Sequence, residues 1–168
     1  RELNETEFPA EVWLVASSSE EVGLRGGQTA ARAVAPDVAI VLDTACWAKN
    51  FDYGASNHRQ LGKGPMLVLS DKSLIAPPKL IALVERVSAE AEIPLQLDMF
   101  SNGGTDGGAV HLSGTGVPTV VIGPATRHGH CAASIADCRD IMQTQALLSA
   151  LITSFTRETV AHLTDFRC

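Results

Sequence analysis

The sequence has 168 residues, enough for one domain with a sizeable core, and its 45% hydrophobic and 19% charged content is typical of a globular protein. Its formal net charge of -6, without any cluster of Lys or Arg, argues against a surface that binds nucleic acid. No apolar run approaches the roughly 20 residues that span a bilayer, and no basic segment followed by an apolar run opens the chain, so we expect a cytoplasmic protein with no membrane partner.

The four cysteines lack both CxxC spacing and the density of a disulfide scaffold, so we expect reduced thiols. Cys131 stands beside His130 and could serve as a nucleophile. That interpretation is the less favoured one, because free cysteines are more often small buried hydrophobes.

Apolar runs alternate with helical periodicity along the chain. Strands are predicted over 12–17, 38–42, 66–69, 95–99 and 118–123, and helices over 24–34, 77–92, 109–112 and about 137–160. Residues 44–63 are rich in breakers and predict a long loop. Two fully apolar strands joined by a helix are typical of a parallel sheet that is covered on both faces. We therefore predict an α/β fold with a mostly parallel, mixed sheet and helices on both faces.

Two adjacent carboxylates, Glu20 and Glu21, follow the first predicted strand and precede a glycine-rich helix start. One interpretation is an ordinary acidic helix start, in which Ser19 caps the helix and the carboxylates complement its dipole. The other is that a turn brings both carboxylates into one site, since open α/β sheets bind ligands at the carboxyl ends of their strands.

Further polar residues follow the other predicted strands, namely Asp43, Thr105, Asp106, His128 and His130. In a parallel sheet these strand ends gather at one edge, where carboxylates and imidazole suit Zn²⁺ or Co²⁺ and one carboxylate remains as a base. Plainer explanations stay open: Asp43 suits a strand-end turn, and a single loop histidine is more often a surface residue than a ligand.

Three motifs resemble, in order and spacing, those of the tetrahedral (TET) aminopeptidases, a family of cytosolic two-metal enzymes. They are SSSEEVGLRG at 17–26, GGTDGGA at 103–109 and TRHGH at 126–130, arranged around Leu42-Asp43. The resemblance covers essentially all 168 residues. It implies a fold like that of the di-zinc peptidases.

The resemblance also implies roles for individual residues. Glu20 would be the general base, and Glu21 and His130 would bind one metal ion. Asp43 would bind the second ion. Thr105, Asp106 and Arg127 would contact the substrate or support the ligands, with the glycine turn before Asp106 lining the substrate cleft.

The function implied by the resemblance is hydrolysis of N-terminal residues from peptides by a metal-activated water. It requires two divalent ions per complete site, Zn or Co, and the family forms large homo-oligomers. A non-catalytic α/β module for assembly or binding is the alternative. A glycosidase that uses Glu20 and Glu21 is disfavoured, because its two carboxylates must flank a sugar at about 5 to 9.5 Å.

The sequence departs from the family pattern because some of the family's metal ligands and one of its domains are missing. Family members carry a bridging Asp, a further His ligand and an inserted β domain for dimerisation in an amino-terminal half that this sequence does not contain. The chain also opens without Met, on residues that look like the tail of a helix running into Pro9. We therefore expect the carboxyl-terminal part of a metallopeptidase catalytic domain, which alone is inactive and binds metal weakly.

Overall fold

The computed structural model describes residues 8–46, 59–100 and 102–166. In chain order the elements are α1 (Arg25–Val34), β1 (Ala39–Leu42), β2 (Ala45–Cys46), β3 (Met66–Ser70), α2 (Pro78–Glu90), β4 (Gln96–Met99), α3 (Gly107–Val110), β5 (Thr119–Gly123), β6 (Ala125–Arg127), β7 (Ile135–Ala136), α4 (Cys138–Ser154) and α5 (Arg157–Thr164). Most of the predicted long loop, 47–58, lies outside the described residues. None of the described helices combines the length and the apolar character needed to cross a membrane.

The main sheet has four strands in the order β1-β5-β3-β4. β1 is parallel to β5 and β3 is parallel to β4, whereas β3 and β5 are antiparallel. The prediction of a mixed, mostly parallel α/β sheet is confirmed. The directions of the strands have a consequence for the site. The carboxyl ends of β1 and β5 lie at one edge of the sheet, and those of β3 and β4 lie at the opposite edge.

A second, smaller sheet with the order β2-β6-β7 extends the β1–β5 pairing. β2 follows β1 and is parallel to β6, which follows β5, and β7 returns antiparallel to β6. The amide of Ala45 donates to the Pro124 carbonyl at 3.1 Å, which joins the two ladders. These strands of two or three residues are too short to give a period in the sequence.

The core occupies both faces of the main sheet. On one face Leu67, Val120 and Ile122 pack with α2 and α4. On the other face Val68 and Val121 pack with Leu74, and α3 lies against this side. Adjacent strand residues thus point to opposite layers, as the pleat requires, and the predicted covering of both faces by helices is confirmed.

The predicted buried strand over 12–17 is wrong for this structure. The segment forms no regular element, and Trp13 and Leu14 are 62% and 74% exposed. An apolar run becomes a strand only where a neighbour accepts and donates its backbone hydrogen bonds, and no ladder to this segment is present among the described residues. Residues 12–15 therefore form an exposed apolar stretch.

The predicted single helix over about 137–160 is also wrong, because the chain forms two helices there. α4 ends at Ser154, and the hydroxyl of Thr156 accepts a hydrogen bond from the Thr159 amide at 3.2 Å. A threonine that caps a helix start in this way favours a new helix over continuation of the old one.

The carboxylate of Asp140 offers a test of how α4 is attached. This side chain is fully buried and accepts from the Gly62 amide at 2.7 Å and the Gly64 amide at 2.8 Å. We expect Asp140→Ala to lower the free energy of unfolding by about 3 kcal/mol, because both amides lose a charged acceptor. Chemical denaturation measures the difference. The neighbouring exposed Ile141→Ala is the control, and an equal loss in both variants would contradict this explanation.

Candidate active site

Glu20 and Glu21 lie on a tight turn directly before α1. The Glu20 carbonyl accepts from the amides of Gly23 at 3.1 Å and Leu24 at 2.9 Å, and the backbone of both Ser19 and Leu24 is left-handed. Leu24 occupies the cap position of α1 without a side-chain cap, and the first helical turn contains no acidic residue. The helix-cap interpretation of the acidic pair is therefore wrong, and the turn leaves both carboxylates available for another use.

Asp43 leaves β1 at the edge where β5 also ends. Its own amide donates to the Ile122 carbonyl at 3.1 Å, and its carboxylate accepts from the Thr44 amide at 2.6 Å. The side chain is half-buried. The backbone of Asp43 is thus held by β5, and its carboxylate is held by the amide of the next residue.

His130 follows β6 and reaches the acidic turn. Its Nε2 atom lies 3.0 Å from Oε1 of Glu21, and the two side chains are 78% and 70% exposed. The imidazole and this carboxylate therefore meet in a solvent-open position, where both could turn toward a common ligand.

Asp106 adds a fourth carboxylate, although it follows β4, which ends at the opposite edge of the sheet. It is only 7% exposed, and its Oδ2 accepts from the Ser17 hydroxyl at 2.5 Å. Its Oδ1 is buried and has no hydrogen-bond partner in the described part of the chain. The close approach of α1 depends on Gly27, since a Cβ there would lie 2.6 Å from Cγ of Asp106.

Burial and the charges of neighbouring carboxylates raise the pKa of Glu20 and of Asp43. Burial chiefly, and then the charges of Asp43, Glu21 and Asp106, raises the pKa of Glu20, while His130 opposes the shift. Burial, followed by Asp106 and Glu21, likewise raises the pKa of Asp43 against the hydrogen bond from Thr44 and the charge of His130. Negative charge is therefore in excess here, which favours binding of a cation and makes Glu20 a better proton acceptor.

The donor types at this site fit a divalent metal ion: carboxylate oxygens, an imidazole nitrogen and one buried carboxylate oxygen that lacks a partner. No three His, Cys, Asp or Glu side chains in residues 8–46, 59–100 and 102–166 are arranged to hold one ion. The chemistry of the described residues thus suits a metal, and their arrangement supplies only part of a ligand set.

Two of the predicted site residues form hydrogen bonds to residues outside the acidic turn. Thr105 is buried, and its hydroxyl donates to Asp71 at 3.1 Å. Arg127 is also buried, and its Nη1 donates to the Thr126 carbonyl at 3.0 Å. Contacts or charges bring together the other predicted residues, which are Glu20, Glu21, Asp43, Asp106 and His130.

Sequence reasoning missed four residues that hold these groups in place, namely Ser17, Gly27, Cys46 and Gly129. Ser17 begins the SSSEEVGLRG motif and Gly27 directly follows it, so their position could have suggested a supporting role. Nothing in the spacing of Cys46 and Gly129 indicates that they touch.

Carboxylates and one histidine, near the edge where parallel strands end, are a donor set that metal-dependent hydrolases use. The family model for M42 glutamyl aminopeptidases matches residues 1–147. The chain belongs to this family, which is a metallopeptidase family that uses a divalent metal.

Individual relatives agree with the family. The Escherichia coli K12 protein FrvX is 37% identical over 158 residues, which are 91% of this chain and 43% of that protein. The lysyl aminopeptidase of Pyrococcus furiosus is 35% identical over 153 residues, 90% of this chain and 42% of that protein. A TET aminopeptidase from a marine-sediment thaumarchaeon superimposes with a TM-score of 0.89 at 38% identity, covering 97% of this chain and 45% of the other. The chain therefore spans less than half the length of these relatives.

The raised pKa of Asp43 predicts a pH-dependent effect on stability. The pKa of Asp43 is 3.8 in the unfolded state and higher in the folded state, so the folded state binds the proton more readily. The free energy of unfolding therefore falls as the pH rises above 3.8 and the carboxylate ionises. We expect Asp43→Asn to raise the free energy of unfolding of the metal-free protein at neutral pH and to have no such effect at about pH 3. Denaturation in the presence of a chelator at both pH values measures this.

Asp37→Asn, at an exposed position just before β1, is the control for the effect of removing a charge. A stabilisation by Asp43→Asn that persisted unchanged in acid would contradict the electrostatic cause.

The contact between Gly27 and Asp106 predicts that alanine at position 27 has the opposite of its usual effect on helix stability. Alanine in place of glycine normally stabilises a helix by about 1 kcal/mol. At Gly27 we expect a loss of stability instead, because the new Cβ must displace Asp106 and break its bond to Ser17. Thermal denaturation compares Gly27→Ala with Gln28→Ala at the adjacent exposed position. A gain in stability from Gly27→Ala would show that the contact yields easily.

Proposed function

We propose that this chain forms part of a metal-dependent aminopeptidase, which removes N-terminal residues from peptides. The observation that carries the proposal is the contact of 3.0 Å between His130 and Glu21, next to Glu20, in a member of a metalloaminopeptidase family. An imidazole, a carboxylate ligand and a neighbouring base are the groups that hydrolysis by a metal-activated water needs.

Separate roles are proposed for Glu20, Glu21, Asp43 and His130. Glu21 and His130 hold one divalent ion and Asp43 holds the second, with Zn or Co as the proposed metals. Such an ion supplies a bound water of lowered pKa and a polarised carbonyl. Glu20 accepts the proton of the attacking water and passes it to the leaving amine, a task that its raised pKa supports.

The remaining predicted residues act by holding the site together. Asp106 fixes the acidic turn through the Ser17 hydroxyl, at a distance of 2.5 Å. Thr105 and Arg127 support the neighbouring loops, since both side chains are buried. Thr105 donates to Asp71, and Arg127 donates to the carbonyl of the preceding residue, Thr126.

The proposed two-ion site needs ligands beyond those of the described residues. We propose that a bridging Asp and a further His, together with an inserted β domain, belong to sequence outside these 168 residues. The coverage of less than half of the relatives supports this, as does the incomplete ligand set. The isolated chain would then be inactive and bind metal weakly.

The complete protein is proposed to act on peptides in the cytoplasm as a homo-oligomer, as the resemblance to the TET family implies. The exposed apolar residues 12–15 are consistent with a further interface. The family description names glutamyl substrates and the Pyrococcus furiosus relative is a lysyl aminopeptidase, so membership leaves the preferred terminal residue open.

The role of Glu20 is tested in the full-length protein with a panel of aminoacyl substrates. We expect Glu20→Gln to lower kcat by about 10²- to 10⁴-fold, because the amide cannot accept the proton, while metal content stays unchanged. Glu85→Gln, at an exposed position on α2, serves as the control. Chelation should abolish turnover and added metal should restore it. Full turnover by Glu20→Gln would refute its assignment as the base.

A further inference from the structure

The peptide that precedes His130 lies directly on the side chain of Cys46. The amide of Gly129 donates to Sγ of Cys46 at 3.0 Å. A Cβ built on Gly129 would lie 2.6 Å from Cβ and 2.8 Å from Sγ of Cys46, so only glycine allows this approach. The residue directly before His130 therefore contacts a thiol that the proposed chemistry does not use.

The backbone on both sides of Gly129 adopts a conformation that must be enforced. His128 and His130 have φ angles of 57° and 58°, in the left-handed region that residues with a Cβ rarely occupy. Such conformations persist where surrounding contacts determine them. Contacts of this kind include those of the Cys46 thiol and of the Ser134 hydroxyl, which donates to the His128 carbonyl at 3.0 Å.

Cys46 is itself anchored by a buried ion pair. Arg59 donates to the Cys46 carbonyl and binds Asp98 at 2.8 Å, and its guanidinium carbon lies 4.8 Å from the centre of the Phe100 ring. Arg59 and Asp98 are both buried. Because Cys46 also pairs with Thr126 in the small sheet, its thiol stands at a fixed place beside the loop.

The same short segment carries Asp43, three residues before Cys46. A contact from Cys46 to Gly129 therefore ties the segment of one proposed ligand to the loop of another. We propose that Cys46 is a positioning residue that sets the orientation of His130 toward Glu21, and thereby the metal affinity of the site. The inference rests on the proposed function, in which His130 is a ligand.

The chemistry of the contact predicts an order among variants. Sulfur is a weak acceptor, so the bulk of the thiol contributes beside its hydrogen bond. Cys46→Ser keeps an acceptor on a shorter side chain, whereas Cys46→Ala removes the acceptor and opens a gap under Gly129. We expect Cys46→Ala to have the larger effect and Cys46→Ser to lie between it and the wild type.

The test is calorimetric titration of the chelator-stripped full-length protein with Zn²⁺ alone. We expect Cys46→Ala to weaken binding about 10-fold, in the range that loss of a ligand's supporting contact produces. Cys138→Ala, at an exposed cysteine on α4, should leave binding unchanged. In a His130→Ala background, Cys46→Ala should weaken binding no further, because the ligand that it orients is gone.

The possible results separate the inference from the proposed function. Unchanged binding in His130→Ala would refute the ligand assignment, and this inference with it. Weaker binding in His130→Ala but not in Cys46→Ala or Cys46→Ser would overturn the positioning role alone. An equal loss from Cys46→Ala in both backgrounds would reveal a general structural role and would also overturn the proposal. If Cys46→Ala does not fold, Cys46→Ser supplies the same comparison.

Discussion

Parallel pairing of β1 with β5 decides where the candidate site lies. Because these two strands end at the same edge, Asp43 leaves the sheet beside the chain that continues into β6 and His130. The pairing does not stop with the main sheet, since β2 and β6 continue it in parallel for another two residues each. The Cys46 side chain and the Gly129 amide meet just beyond this second ladder.

The electrostatics of the site oppose the stability of the fold. Glu20, Glu21, Asp43 and Asp106 share a small region, and burial, followed by the charges of neighbouring carboxylates, raises the pKa values of Glu20 and Asp43. A chain selected for stability alone would separate these charges. Supporting contacts hold them together instead, including the Ser17 hydroxyl on Asp106 and the backbone bonds of the acidic turn.

The sequence allowed the fold class to be predicted because β3 and β5 are continuous apolar runs and α2 has a clear helical period. Asp43 and His130 were expected at one edge for a reason that the structure supports, since β1 and β5 are parallel. The same reasoning does not explain Asp106: β4 runs the other way, a direction that depends on tertiary pairing and leaves no local pattern. The contact of Cys46 with Gly129 joins residues 83 positions apart, and neither shows periodicity.

The exposed stretch at residues 12–15 has a practical consequence for the chain in solution. Val12, Trp13, Leu14 and Val15 present an unbroken apolar ribbon to water, and β1 stands at the end of the main sheet with Leu42 exposed. Exposed apolar segments and unpaired sheet edges of this kind favour association between molecules. The 168 residues by themselves are therefore expected to aggregate, and to do so more strongly as their concentration rises.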